Sequence, residues 1–414
     1  MRKIFTMPIT FAYANRVLRN LGMFTFLVAA AHACIAGNDA LFFLSRGMNY
    51  TKINALEVVA SAGALLLEIP TGVIADRYGR KYALISSCIL RTIAYLFVAS
   101  IPIYGILALA YFCLGFGQSF QSGALNAWIA ENITASPNSK AEMEYQFIVN
   151  RNFGNLGNIA GAIMGYFASF YSNSTISWWM AAGCCLLACL IMIHTKQLYP
   201  SQHSTALISH SSKFSAIALI KKTHKGLQIL YSHTSILSVT LFTCLSQIGA
   251  VGLMKTWQPV FEHLLEDSSK LRLMYGSFGI MSFIANGIVN ISSHISDKKR
   301  LITFALLSGL PILLFFYLRI TAVVALCLYL VHVIGETAQV PIVYTVMHNN
   351  ITGNQRATVE SWYEWLIHLF KLAGFMFMGK LTDLYGYKCI YTISGLFFLL
   401  AIMPLCLMQR KSSV

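Results

Sequence analysis

The sequence predicts an all-α integral membrane protein of twelve transmembrane helices, arranged as two pseudo-symmetric six-helix bundles. Three observations carry that prediction. The chain of 414 residues is 57% hydrophobic and only 11% charged, against about 25% charged for soluble domains, so it is too apolar to cover a surface facing water. Its apolar residues fall into twelve runs, each long enough to cross a bilayer as a helix. Its second half also repeats landmarks of its first.

Met1 to Asn20 carries Arg2, Lys3, Arg16 and Arg19 and reads as a cytoplasmic lead-in. The apolar run behind it is too long for a signal-peptide core, and many spans follow it, so it is a first transmembrane helix. Spans are expected at about 21–45, 53–75, 82–101, 103–130, 146–170, 176–194, 234–260, 272–296, 300–318, 321–347, 358–380 and 389–408. The longest link, about 195–233, separates six spans from six. The domains therefore divide as 1–194, a cytoplasmic linker at 195–233, and 234–414. The linker holds His203, His210, His224 and His233, with His194 at its edge, but no tight ligand spacing, so a solvated segment is expected. Lys213 to Leu230 is mixed enough to form an amphipathic helix on the inner membrane face. All ten cysteines fall in apolar segments without a CxxC pair and are expected as buried thiols.

The net charge of +15 does not mark a nucleic-acid protein, because the basic residues sit in short links and form no stripe. With both termini inside, nineteen Lys and Arg fall on the cytoplasmic side. Seven fall outside: Arg46, Lys52, Lys270, Arg272, Arg319, Lys380 and Lys388. That asymmetry is the positive-inside pattern of an even number of spans. Arg91, Arg151, Lys255 and Lys371 lie within spans.

The internal repeat is legible by eye. Tyr111, Gly117 and Gln121 of the fourth span superpose on Tyr329, Gly335 and Gln339 of the tenth at a shift of 218 residues. The same shift lays Asn132-Ile133-Thr134 on Asn350-Ile351-Thr352. At a shift of 213, Ala160-Gly161 of the fifth span meets Ala373-Gly374 of the eleventh.

The link between spans two and three carries the one compact charge cluster of the N-terminal third. Glu68-Ile-Pro-Thr-Gly72 leads into Asp76, Arg77, Gly79, Arg80 and Lys81, in a turn short enough only to join two helices. The pattern Gly72-x3-Asp76-Arg77-x-Gly79-Arg80-Lys81 resembles the loop signature of the major facilitator superfamily of membrane transporters. The twelve spans, two repeats and central basic linker extend the resemblance over the whole chain. It implies an inner gate. Asp76 would approach the cytoplasmic start of span eleven near Thr358, where the helix dipole favours a carboxylate. Arg77 and Arg80 would seek Glu131 at the inner end of span four. Gly72 and Gly79 would permit close helix approach and a tight turn. A weaker echo, Asp297-Lys298-Lys299-Arg300, lies between spans eight and nine and lacks a counterpart of Gly79.

Two departures leave the direction of transport open. Tyr111 stands where the family's proton antiporters often carry an Arg. Gly154, Gly157, Gly161 and Gly165 supply the close-packing glycines of span five without the proline of the antiporter motif. Glu68-Ile-Pro-Thr-Gly72 and Ser122-Gly-Ala-Leu-Asn-Ala-Trp128 resemble a bacterial branch with many drug-efflux-like members.

Ionisable groups inside a bilayer are costly unless they face a cavity or a partner. In the family that the chain resembles, spans one, four, seven and ten line the central cavity. The resemblance therefore points to Asp39, Gln118, Gln121, Lys255, His332, Glu336 and Gln339 as substrate or proton contacts. His332, Glu336 and Gln339 recur at helical spacing and share one face. Span eleven adds Glu360, Glu364, His368 and Lys371 on one face, which must meet protein or water. Lys371 could neutralise Glu336 or Asp39, and Arg91 could pair with Glu57 or Glu68. His332, Glu336, Glu364 and His368 are residue types that suit a divalent cation, but salt bridges and proton relays use the same residues, and no metal is expected.

No nucleotide-binding glycine loop, catalytic-triad spacing or soluble domain appears, so no enzyme is expected. The expected function is secondary active transport of a small molecule by alternating access, with proton-coupled efflux first. Proton-coupled uptake of a small polar nutrient such as an amino acid is second, and a non-transporting sensor on the same fold is third. Protonation of Glu336 or Asp39 would couple the gradient to the cycle. The expected partners are a small-molecule substrate and the lipid bilayer, with no nucleic acid and no cofactor beyond a proton gradient. The expected setting is a bacterial inner membrane, with the chain a monomer.

Overall fold

The computed structural model describes residues 16–132, 139–170, 175–196, 228, 230–318, 321–350 and 356–408. Among the described residues all regular structure is helical. In order the helices are α1 (Arg16–Ala36), α2 (Asp39–Leu44), α3 (Tyr50–Tyr78), α4 (Arg80–Ser100), α5 (Tyr104–Glu131), α6 (Ser139–Ala168) and α7 (Ile176–His194). They continue as α8 (Thr234–Met254), α9 (Trp257–Leu265), α10 (Ser268–Ile291), α11 (Asp297–Leu314), α12 (Ala322–Asn350), α13 (Arg356–Leu400) and α14 (Ile402–Leu405). Most of the central linker, with its proposed amphipathic helix, lies outside the described residues.

The helices follow the apolar runs closely, and the differences have local causes. The first span breaks after Ala36, where the backbone of Arg272 presses on Gly37. A Cβ there would lie 2.7 Å from the Arg272 Cα. The seventh span breaks at Lys255-Thr256, and the Thr256 hydroxyl turns back to the Gly252 carbonyl at 2.7 Å. Spans eleven and twelve run on as α13, interrupted only at Gly386, whose φ is +72°. Gly79 alone separates α3 from α4, with φ +104°. Both links need the left-handed region that glycine enters without strain.

Seven stretches of the described residues are long and apolar enough to cross a membrane, among them Trp362–Leu405, whose 44 residues suffice for two crossings. Cys327 and Cys406 are exposed, against expectation, while six of the ten cysteines are buried and none is bonded. An exposed thiol on a spanning helix is still compatible with an apolar surrounding, because lipid is as apolar as a core.

The chain forms two compact units. The first comprises Met1–Phe42, Val59–Ser211 and Ser268–Gly279; the second comprises Phe43–Val58, Ser212–Asp267 and Ile280–Val414. The first is cored by Phe24 and Val28 of α1, Leu84 of α4, Trp128 of α5 and Met192 of α7. A close seam joins α1 to α6. Gly157, Gly161 and Gly165, four residues apart, face Phe26, Ala30 and Cys34. A Cβ at these glycines would lie 2.2, 2.2 and 2.6 Å from the three carbonyl oxygens. In a bilayer small residues drive association by letting backbones meet, as here. The second unit is cored by Phe242 of α8, Phe304 of α11, Val346 of α12 and Ile367 of α13.

In the second unit the N-terminus of α3 is capped from α13. Asp383 accepts hydrogen bonds from the amides of Tyr50 (2.9 Å) and Thr51 (2.8 Å) and from the Thr51 hydroxyl (2.5 Å). Free N–H groups and the helix dipole both favour a carboxylate at this position. The hydroxyls of Tyr50 and Tyr387 meet at 2.9 Å beside it. Asp383→Ala is expected to lower stability by about 1–2 kcal/mol, the cost of a lost cap. Thermal denaturation of the purified protein checks this; an unchanged midpoint would remove the cap from the energetics of this unit.

The internal repeat is a repeat of contacts. Gly117 packs on α4, where its Cβ would lie 3.1 Å from Ser87 O, 3.2 Å from Arg91 Cγ and 3.6 Å from Leu90 Cβ. Gly335 packs on α11, at 2.8 Å from Phe304 O, 2.6 Å from Ser308 N and 2.9 Å from Leu307 C. A shift of 217 residues thus carries Ser87, Leu90 and Arg91 onto Phe304, Leu307 and Ser308.

Candidate functional site

The signature loop is built as a one-residue link. Arg77 is exposed and lies over the Tyr78 ring at 5.6 Å. The Lys81 ammonium donates to the Ile193 carbonyl at 2.7 Å, near the C-terminus of α7. The side chains of Asp76, Glu131, Thr358 and Glu360 lie outside the described residues. Gly72 has open space where a Cβ would go, so close helix approach is not what this structure asks of it. The echo in the second half keeps the role of the base. Lys298, 217 residues after Lys81, donates to the carbonyls of Cys406 (3.3 Å) and Met408 (3.2 Å) beyond α14. Each lysine thus engages carbonyls at or just beyond the C-terminus of a helix that closes its own half, a favourable place for a cation. Asp297 opens α11 and is paired with Arg300 of the same helix.

The second unit gathers a cluster of intramembrane charge. The Lys255 ammonium, at the end of α8, meets the Glu57 carboxylate of α3 at 2.8 Å, with both side chains largely buried. Glu57 therefore pairs with Lys255 and not with Arg91. Lys371 on α13 lies within electrostatic reach of Glu364, Glu336 and Glu57. Asp39 sits buried in the first turn of α2, in the first unit. His368 lies beside Lys371 and Glu364. Glu364 accepts a hydrogen bond from the Tyr344 hydroxyl at 2.5 Å. Among the described residues three carboxylates, Glu57, Glu336 and Glu364, thus stand against two ammonium groups, Lys255 and Lys371, an excess of one negative charge when the histidines are neutral. A membrane interior resolves such an excess with a proton or a bound cation.

The stripe on α12 behaves differently from expectation. His332 and Gln339, 2% and 5% exposed, are turned onto α11. His332 Nδ1 lies 2.8 Å from the Ser308 carbonyl, and Gln339 Nε2 donates to Phe304 O (3.2 Å) and Ser308 Oγ (3.0 Å). Only Glu336 keeps an open side chain, 38% exposed, with His332 Nε2 at 3.7 Å. The spacing placed the three on one side of the helix, but that side is mainly a helix–helix seam. No group of three or more His, Cys, Asp or Glu able to hold a metal ion occurs among the described residues.

In the first unit, Gln118 is exposed together with Ser122 and Asn126, one turn apart along α5. Gln121 turns toward α4, where its Oε1 accepts from Arg91 Nη2 at 3.0 Å. Arg272 is not an outer-loop cation. It lies inside α10, is 3% exposed, and donates from Nη1 to the Gly165 carbonyl near the C-terminus of α6. Sequence reasoning missed Tyr344, Asp383 and the role of Glu57. A carboxylate in an apolar run was the only available signal for Glu57, and it does not name the partner.

The family model described as Major Facilitator Superfamily matches residues 20–369. A curated relative, the uncharacterized MFS-type transporter YxaM of Bacillus subtilis (strain 168), is 20% identical over 246 residues, covering 59% of this chain. The match spans 58% of the relative's length. Among solved structures, a single-residue mutant of the nucleoside transporter NupG superposes with a TM-score of 0.78 at 13% identity, covering 95% of this chain and 100% of that one. A D-xylose-proton symporter superposes with a TM-score of 0.72 at 14% identity, covering 94% and 96%. At these identities the likeness is one of fold.

Proposed function

The chain belongs to the major facilitator superfamily, and from that premise we propose that it is a proton-coupled exporter of a small organic molecule. It would work by alternating access as a monomer in a bacterial cytoplasmic membrane, with both termini inside. The observation that carries proton coupling is the charge imbalance of the second unit. Glu336 is the open member of that cluster, with His332 and Lys371 beside it. Gaining a proton would neutralise the excess charge, and losing it would restore the attraction to Lys371. The phrases around Pro70 and Trp128 that resemble an efflux-like branch support export. Uptake is the second reading, favoured by the fold likeness to a D-xylose-proton symporter.

Proteoliposomes holding the purified chain test both. A compound selected by thermal shift is placed on either side, with pH gradients of each sign. Wild type is expected to accumulate it against its gradient, and the sign of the effective pH gradient reads the direction. Glu336→Gln is expected to lose at least tenfold of the gradient-driven accumulation while keeping exchange of compound for compound. If Glu336→Gln and Asp39→Asn both keep gradient-driven transport, the coupling assignment is wrong.

A further inference from the structure

We propose that Arg91, presented by Gln121, is an anion-recognition site of the first unit that takes the carboxylate of a small organic-anion substrate. This rests on the transporter reading and narrows its substrate class. The argument begins with burial. Arg91 is the twelfth residue of the 21-residue helix α4, about 16 Å from the helix start at 1.5 Å per residue. That depth is near the middle of a hydrocarbon core about 30 Å thick. A guanidinium there keeps its charge and needs a counter-charge.

The partners of Arg91 are neutral. Nη2 donates to Gln121 Oε1 at 3.0 Å, Nε to Ser87 Oγ at 3.4 Å, and the guanidinium hydrogen-bonds the buried Tyr95 hydroxyl. Among the described residues no carboxylate pairs with it. Arg272, which also donates to a neutral partner, does so near the C-terminus of α6, where the dipole favours a cation. Arg91 faces the middle of α5 and has no such support.

The repeat supplies the control. Gln339 occupies in the second half the place of Gln121, and its partner Ser308 occupies the place of Arg91. The same seam thus closes with a hydroxyl in one half and with a guanidinium in the other. Packing of the fourth or tenth span does not require a cation at this position. The extra charge on one side is a binding feature.

Access comes from α5. Gln118, Ser122 and Asn126 form an exposed polar face, and Gln121 borders it. A polar face inside a membrane meets water, not lipid. Arg91 and Gln121 are both half-buried beside that face, and a solute on it would displace Gln121 from the guanidinium. Lipid headgroups stay at the interface and do not reach this depth. A planar carboxylate suits the guanidinium fork.

Thermal shift and tryptophan fluorescence titration of the full chain in nanodiscs test the site with matched probes. These are benzoate against benzamide, indole-3-acetate against indole-3-acetamide, and inorganic phosphate. At least one carboxylate is expected to bind wild type tenfold or more tighter than its amide. Arg91→Gln should abolish that preference, and Arg91→Lys should keep part of it. Gln121→Glu supplies an internal carboxylate, so it should fold as well as wild type and lose the preference too. Equal binding of acids and amides to wild type, tighter binding of phosphate than of every carboxylate, or a preference that survives in Arg91→Gln would overturn the assignment. Gradient-driven flux is read on the same preparations. Flux without a carboxylate preference removes the site and keeps the transporter; carboxylate binding without flux of any compound keeps the site and removes the transporter.

Discussion

A leucine at position 161 is expected to leave no folded protein. The Cβ of any residue there would lie 2.2 Å from the Ala30 carbonyl oxygen and 2.8 Å from its carbon, and both are backbone atoms of α1. A flexible side chain could move aside; a helix backbone moves only by carrying the whole helix with it. Gly157 and Gly165 hold the same seam one turn to either side, so the displacement would open three close contacts together. Overpacking in an ordinary core costs about 1–3 kcal/mol, and the backbone contact here puts Gly161→Leu at or beyond the top of that range. Monodisperse elution of a fluorescent fusion in detergent is the readout. Gly183 lies on a spanning helix with nothing within 4 Å of its Cβ position, so Gly183→Leu should elute as wild type does. A normal profile for Gly161→Leu would mean that the α1–α6 seam is not set by this glycine.

The second large effect is expected at Glu57. Glu57→Gln leaves the Lys255 ammonium buried beside an amide, and breaking a buried pair costs about 3–5 kcal/mol. It also removes one of the three carboxylates within reach of Lys371. The variant should unfold at a lower temperature and lose transport. Adding Lys255→Met removes the matching positive charge, so the double variant should regain most of the stability and, with two carboxylates again facing one ammonium group, the excess negative charge on which proton coupling rests. Stability of the double variant no better than that of Glu57→Gln alone would show that the pair is not the source of the loss.

Much of the architecture was legible because a bilayer imposes a length on every apolar run. The limits of α7 matched the sequence to the residue, and the repeat at Gly117 and Gly335 proved to be one contact made twice. Partners were harder to read. Glu57, Glu68 and Arg91 stand in neighbouring spans, and nothing in their spacing says that Glu57 turns to Lys255, some two hundred positions away. Helical periodicity places His332 and Gln339 on one side of α12 but does not say whether that side meets water or another helix. Arg272 reads as a loop cation because it follows Lys270 at the edge of an apolar run, yet it is buried against Gly165. Such assignments depend on helix rotation, which small tertiary contacts decide and local sequence does not record. For the signature loop the motif was plain from the residues, while Gly72 turned out to have open space around it.

The single-residue link at Gly79 has a mechanical meaning. A loop of several residues would let one helix shift before its neighbour felt the load. With one residue between α3 and α4, and with Lys81 tied to the end of α7, there is no lost motion. A push on the Val59–Tyr78 part of α3 is delivered at once to α4 and α7, as through a rigid crank. Lengthening the link by two glycines would introduce backlash without replacing a single side chain. Such a variant should bind its ligand as wild type does, yet turn over more slowly.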